Sequence, residues 1–480
     1  MYPTVAPNRW RTILRAPVTV ALAPLAWALT AVNAAVRRPS LAVGATVLLV
    51  CLPSGTQDVS ASGKITPADI AAAGVIALVA FRLLTGSRGP DRVTIRHGWI
   101  PYAAAVASFA VATVTATDVG TSARGFVRYT ELFVLVPVAA ALAIRDRRDV
   151  FIVAGSIVAT TVFEGAVGVY QYLTGTGASY AGQFVRAVGT FGAEQIEAMG
   201  AVVGYGILVT LALGLALRGR ARIAVVAVAL LLTVPLGLSL SRGAWIATAA
   251  SVFVMLVVYS WRIAVAVFGA TVLVVVVLST GASTGSGPRF GERVTSIFST
   301  SSEPDRSVQD RYALWATAVG IWRDHPVFGV GMKDFVEYRD RYAPMVLSAG
   351  SDVDDPHAGY RREPLLSPHN QYLQVLSEQG TVGILAFGGM LGALGVTALR
   401  RRRTPEPVQP TGPGRGVASD TAEPDRSETR FFDLAAPGLL TWTLIDFMYG
   451  DVGAGPTGVL LGILLGLVAR RSLLTPGEES

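Results

Sequence analysis

The sequence predicts an all-α protein: a polytopic bundle of about twelve transmembrane helices carrying a large helical loop on the extracytoplasmic side. Three observations carry that reading. The 480 residues are 51% hydrophobic and only 15% charged, and apolar runs of about 18 to 25 residues recur, the length a helix needs to cross a bilayer. Arginines cluster at alternate ends of those runs. One long polar interval, residues 281–379, interrupts them.

Taken in order, residues 1–38 form an N-terminal segment in which an apolar stretch, 16–36, is flanked by arginines at both ends and contains Pro24. A re-entrant or interfacial helix suits it better than a span, which would carry Arg9, Arg11 and Arg15 outward. Transmembrane helices are expected near 39–54, 67–85, 99–117, 127–144, 150–173, 195–217, 222–239, 243–260 and 263–280, filling residues 39–280. The loop 281–379 follows, then a span at 380–399, a linker at 400–430 rich in Pro, Gly, Ser and acidic residues, a hairpin of spans at 432–450 and 456–470 within 431–471, and a tail at 472–480. Such a linker lacks the periodic apolar residues that would order it and reads as disordered.

Arg37 and Arg38, Arg88, Arg92 and Arg96, Arg145, Arg147 and Arg148, Arg218, Arg220 and Arg222, Arg262, Arg400 to Arg403, and Arg470 and Arg471 all fall on one side. The positive-inside rule makes that side cytoplasmic and the chain a multi-pass protein of the cytoplasmic (inner) membrane. Loop 281–379 then lies outside and the C-terminus inside. The net charge of +7 is explained by this topology, so no nucleic-acid partner is implied. Cys51 is the one cysteine, which excludes an intramolecular disulfide and a cysteine-based metal cluster. No segment has the n-region, h-region and cleavage-site pattern of a signal peptide.

Within the loop, Tyr312, Leu314, Trp315, Ala318, Val319 and Trp322 recur at helical spacing between Arg306 and Asp324, giving one face to pack on the bundle or line a groove. His325 to Gly331 reads as a helix stop and glycine turn. Asp352, Asp354 and Asp355 offer oxygen atoms suited to a divalent cation, although acidic loops are more often simply solvated. The loop closes on Ser367-Pro368-His369-Asn370 and runs to Glu378 and Gly380. Ser367 is a candidate N-cap, Pro368 suits the first helical position and Gly380 the C′ position, so His369 is expected in the first turn of a short helix. An imidazole there is biased towards its neutral form, able to accept a proton beside an anion.

Arginines on the outer side run against the orientation rule: Arg124, Arg128, Arg186, Arg242, Arg289, Arg293 and Arg311. Any one of them is most simply a snorkelling or ion-paired side chain. Arg128 has Glu131 at hand and Arg293 has Glu292. Arg186, before Ala-Val-Gly-Thr-Phe-Gly192, and Arg242, in the turn Ser241-Arg242-Gly243, are held by short, constrained backbone and stand out as a clamp for a pyrophosphate, since guanidinium forks match phosphate oxygens. Glu164 and Asp446 lie within apolar spans, where an acid needs a partner or a function.

The His369-Asn370 helix ending at Glu378 and Gly380, the Ser241-Arg242-Gly243 turn, the Arg186 loop and the long outer loop between late spans together resemble the O-antigen ligase and polymerase superfamily. The resemblance extends over nearly the whole chain, and it implies a membrane glycosyltransferase of GT-C-like architecture with no cofactor and no metal. It further implies a lipid-linked glycan donor on a polyprenyl pyrophosphate, a glycan or lipid hydroxyl acceptor, and membrane lipids as surroundings. His369 would be the base or acceptor-orienting group, Arg186 and Arg242 would bind pyrophosphate with Arg289, Arg293 or Arg311 helping, and Asn370 and Glu378 would support them. Two rivals stay open: a metal-dependent GT-C enzyme using polyprenyl monophosphate sugars, and a flippase or transporter. Ligase and polymerase stay undivided.

Overall fold

The computed structural model describes residues 30–52, 65–85, 94–95, 97–180, 185–192, 195, 197–281, 306–347, 350–355, 359–363, 365–399, 426–452 and 455–475. The expected interfacial stretch 16–36 and linker 400–430 lie mostly outside these residues, as do Arg289 and Arg293. Helices account for almost all of the described chain: α1 (Pro39–Leu49), α2 (Pro67–Leu84), α3 (Ile100–Val114), α4 (Val119–Thr130), α5 (Val136–Ala143), α6 (Arg147–Thr174), α7 (Ala198–Ala216), α8 (Gly219–Leu231), α9 (Thr233–Leu238), α10 (Arg242–Gly281), α11 (Arg306–Asp324), α12 (Phe335–Tyr342), α13 (Gln371–Leu399), α14 (Arg426–Asp446) and α15 (Pro456–Leu473). Among the described residues, seven helices are long and apolar enough to cross a membrane, counting α4–α5 and α8–α9 as one each, and α1, α3 and α15 contribute shorter apolar helices.

Local chemistry sets the helix ends. Thr66 opens α2 with a reciprocal capping box to Asp69, and Asp146 opens α6 with the same device to Asp149. Gly175, at φ 70°, closes α6. On the arginine-rich side Arg38 bridges Asp146 and Asp149 at 3.2 and 3.0 Å, tying α1 to α6, and Arg470 reaches Glu428 at 2.9 Å. α14 thus begins at Arg426, inside the expected linker.

Within the bundle, α7 is enclosed by α6, α8, α10 and α14, and α15 lies along α5. The second contact depends on small residues. A Cβ at Gly462 would come within 2.9 Å of the Leu132 carbonyl oxygen, and one at Gly466 within 2.6 Å of that of Pro137, so these glycines let the two backbones approach as small residues do between membrane helices. Two helices are broken. α10 departs from helical geometry at Ser260 (φ −166°, ψ 114°), and α13 turns at Gly380 (φ 66°, ψ −164°).

Outside the bundle, α11 and α12 enclose a small apolar core of Leu314, Ala318, Ile321, Val330, Phe335 and Leu365. The loop is not wholly helical as expected. Strands β3 (Ser351–Asp355) and β4 (Gly359–Glu363) form an antiparallel hairpin, and β2 (Ser179–Tyr180) pairs with β3, Ser179 opposite Asp354. Strand β1 (Thr94–Ile95) pairs with β5 (Leu474–Thr475). The three-stranded sheet joins the loop that carries Arg186 to the loop that ends in His369. Segments with no apolar periodicity, 175 residues apart at Ser179 and Asp354, are paired through backbone hydrogen bonds, which leave little trace in side-chain pattern.

Candidate functional site at one end of the bundle

The helix expected to begin at Ser367 begins later. Asn370 is its cap, its side-chain oxygen accepting from the Leu373 N–H at 3.0 Å, and α13 starts at Gln371. His369 therefore precedes the helix instead of sitting in its first turn, and it holds the left-handed conformation, φ 47°. The correction has a physical reason: the Ser367 hydroxyl is occupied elsewhere. It donates to the Asp451 carboxylate and accepts from the His369 N–H at 3.3 Å, making a local turn that competes with helix.

That turn aims the imidazole at Asp451. His369 Nδ1 lies 3.9 Å from Asp451 Oδ2, with the imidazole 40% exposed and the carboxylate 12% exposed. The loop bearing Asp451 is fixed by the start of α13. The Gln371 N–H donates to the Phe447 and Gly450 carbonyls at 2.8 and 3.0 Å, the Gln371 side chain accepts from Val452 N–H at 2.9 Å and donates to Tyr129 at 2.9 Å, and Asn370 donates to the Met448 carbonyl at 3.1 Å. Trp315 of α11 donates to the Pro368 carbonyl at 3.0 Å. The His369 turn is thus held from three sides.

The arginines reach this place from separate elements. Arg311 of α11 forms an ion pair with Glu197, Nη2 to Oε1 at 2.5 Å, and the same carboxylate lies in the electrostatic field of His369 and Arg186. Arg186 is bridged to Ala178 by two backbone hydrogen bonds, and the next residue donates to the Leu238 carbonyl, which brings the Arg186 loop to the turn before Arg242. Ser241 caps α10, accepting from Ala244 N–H at 3.4 Å, so Arg242 opens that helix. Its neighbour Gly243 faces Tyr449, two residues from Asp451. Behind them, a Cβ on Gly450 would lie 3.8 Å from Glu197 Oε2 and 3.9 Å from Asp446 Oδ1. The turns bearing His369, Asp451, Arg186, Glu197, Arg242 and Arg311 therefore meet at one end of the bundle.

Other expected residues lie elsewhere. Glu378 is seven residues into α13, about 10 Å along the helix from its start, where it is buried and accepts from Gln374 at 3.3 Å; helical rise carries it away from the imidazole. Asp352, Asp354 and Asp355 belong to β3, paired with Arg362, Tyr360 and Gly359. Arg124 is turned to Thr121 at 2.8 Å. Arg128 meets Glu131 at 3.2 Å and, more closely, Asp69 at 2.6 Å. Glu164 meets Thr190, from which both its oxygens accept, and no arginine among the described residues. Sequence reasoning missed Asp451 and Glu197. Asp451 shortly precedes α15 and Glu197 immediately precedes α7, and an acid so placed at the mouth of an apolar run, near the arginines that run against the orientation rule, was the signal available.

The O-antigen ligase family model matches residues 226–388, a segment that includes Arg242, Arg311, His369 and Asn370. Over that segment, about a third of its length, the chain is similar to the O-antigen ligase family. The match and the apolar helices together support a multi-pass membrane protein with an O-antigen ligase- or polymerase-like function in general. No curated protein matches it. Arg186, Glu197 and Asp451 fall outside the matched segment, yet the fold brings their turns to that of His369.

Proposed function

We propose that this protein moves a glycan from a polyprenyl pyrophosphate carrier to a hydroxyl acceptor at the outer face of the cytoplasmic membrane, in the assembly of a surface polysaccharide. The observation that carries the reading is the meeting of one imidazole, backed by Asp451, with three arginine-bearing segments at the end of a membrane bundle. In the proposed step the acceptor hydroxyl attacks the anomeric carbon, the bond from that carbon to the phosphate oxygen breaks, and the pyrophosphate leaves with the electron pair. His369 takes the hydroxyl proton on Nε2 while the Asp451 carboxylate, 3.9 Å from Nδ1, steadies by its charge the imidazolium that forms. Arg186, Arg242 and Arg311 bind the pyrophosphate, whose charge grows as the bond breaks, so fixed donors there lower the barrier most. Glu197 keeps the Arg311 guanidinium extended towards the site until the diphosphate shares it. Arg289 and Arg293 remain candidates for the same clamp, and Asn370 acts by holding the loop of Asp451.

The reading takes the bundle as twelve spans of GT-C-like type. The 40 residues of α10 would run about 60 Å as one rod, twice the hydrocarbon thickness. Its break at Ser260, beside Arg262, supports division into two spans that meet at the cytoplasmic face. With the arginine clusters inside, the His369 turn faces outward.

The test is a reconstituted assay in lipid vesicles with a defined polyprenyl pyrophosphate oligosaccharide and candidate acceptors, reading the new glycosidic bond. Transfer that persists in EDTA is expected and would remove the metal-dependent monophosphate alternative. Movement of the donor between leaflets with no new bond would overturn the enzymatic reading in favour of a transporter.

A further inference from the structure

Resting on the pyrophosphate reading of Arg186, we infer that Glu164 and Gln171, on the transmembrane helix α6, are positioning residues that set the place of the Arg186 guanidinium. The two are seven residues apart, two turns, and so share a face of the helix. Residues 187–191 lie across that face. Glu164 Oε2 accepts from the Thr190 N–H at 2.9 Å and Oε1 from its hydroxyl at 2.6 Å. Gln171 Oε1 accepts from the N–H groups of Val188 and Gly189 at 3.0 and 2.9 Å, and its Nε2 donates to the Gly189 carbonyl at 2.8 Å. Between them Gly168 makes room chiefly for Met199 and also for the loop: a Cβ there would come within 2.1 Å of Met199 Cε and 3.2 Å of Ala187 Cβ. Gly189 takes φ 64°, and a Cβ on it would lie 2.2 Å from Glu164 Oε2, so glycine is required for the loop to touch the carboxylate.

Residues 188–190 thus make five hydrogen bonds, four through backbone groups and one through the Thr190 hydroxyl, with two side chains of one helix. On its other side Arg186 is fixed by paired backbone bonds to Ala178 at 2.8 and 3.1 Å. Glu164 is fully buried. A carboxylate in that setting is costly without strong donors, and apolar packing would hold a loop to a helix more cheaply. What the acid adds is a fixed distance and direction, which matter where a guanidinium must meet a diphosphate within a fraction of an ångström. Glu164 touches neither donor nor acceptor; it acts through Arg186.

The experiment uses the full chain in lipid vesicles with a polyprenyl pyrophosphate oligosaccharide, and reads kcat/KM for donor and KM for acceptor separately. Glu164→Ala is expected to lower donor kcat/KM by about 10- to 100-fold with acceptor KM unchanged, and Glu164→Gln, which keeps an acceptor for the Thr190 N–H, to restore most of it. In an Arg186→Ala background Glu164→Ala should add nothing. Equal losses towards donor and acceptor, or effects of Glu164→Ala and Arg186→Ala that multiply, would overturn the inference and leave Glu164 as a structural tie. Should Glu164→Ala fail to fold, Thr190→Val removes one of its two bonds, and an unchanged donor kcat/KM there overturns it equally. Arg186→Ala with normal donor kinetics would instead overturn the pyrophosphate reading itself; impaired Arg186→Ala with normal Glu164→Ala would remove the positioning role alone.

Discussion

The two ends of the short helical segment between Asn370 and Gly380 are both rich in polar side chains, and they are built in opposite ways. At the outer end the side chains of Ser367, Asn370, Gln371 and Asp451 are partnered and the imidazole is partly open to solvent. At the inner end, among the described residues, Glu378 Oε2, Gln374 Oε1, both polar atoms of the Gln379 amide and both oxygens of Asp334 are buried with no hydrogen bond from the protein. The order of the first end is what a reacting group needs, since donors already in place cost no rearrangement when charge develops. The second end is held by backbone instead. Thr381 and Val382 N–H groups donate to the Pro326 and Val327 carbonyls, and Val330 and Gly331 N–H groups donate to those of Ser377 and Glu378. The groups orphaned by the helix break are satisfied by the 326–331 turn, which makes that turn a splint and explains why a loop is bound so firmly to a span.

If the outer end is the reacting end, the largest effects fall there. His369→Ala should lower transfer by about 10² to 10⁴ while the protein remains folded in membranes; near-normal transfer would dissolve the contrast. Asp451→Asn keeps the shape and an acceptor for Ser367 but loses the charge behind the imidazole, and about a 10- to 100-fold fall is expected. Glu378→Gln, at the other end, should leave the rate of transfer by folded protein within a few-fold, and a loss as deep as that of His369→Ala would show that the two ends work as one.

Much of this contrast was legible beforehand and part was not. The apolar runs and arginine clusters foretell the bundle because in lipid a polar backbone must satisfy its own hydrogen bonds, which a helix does within one apolar run. Gly380 announced a helix break because a left-handed residue there favours glycine. His369 stood out for its neighbours in sequence. What stayed hidden was long-range: Asp451 approaches His369 from 82 residues away, and the Ser367 hydroxyl was read as a cap because nothing local says that Asp451 will claim it. The β2–β3 pairing that brings Arg186 to the large loop is likewise a backbone contact without side-chain pattern.

The splint can be broken separately. At Gly380 a Cβ would sit 2.3 Å from the Val327 oxygen, on a backbone of φ 66°. Gly380→Ala faces both a left-handed strain and a backbone clash that no rotamer relieves. A loss of stability of about 3 kcal/mol or more is expected, read as a fall in melting temperature in detergent, whereas Gly388→Ala, where a Cβ meets nothing within 4 Å, should change little. Equal melting temperatures would mean that the turn is not what holds the break.

The smallest effect expected concerns Asp334, at the start of α12 and outside the spans. Burial, followed by the charges of Asp118 and Glu337, pushes its carboxyl up to about 6 from an ordinary 3.8. Because the folded value is the higher one, the folded state holds this proton more tightly than the unfolded chain does. Below about pH 4 both forms are protonated and the acid costs nothing; between about pH 4 and 6 the unfolded chain ionises first, and stability falls as pH rises. Above pH 6 the cost is complete, at most about 3 kcal/mol. Asp334→Asn should therefore melt higher than the parent at pH 7.5, with the gap closing towards pH 4. The difference between the two melting curves isolates this group from every other that titrates, and a gap independent of pH would place the cost of the inner end in its unpartnered amides instead of in this charge.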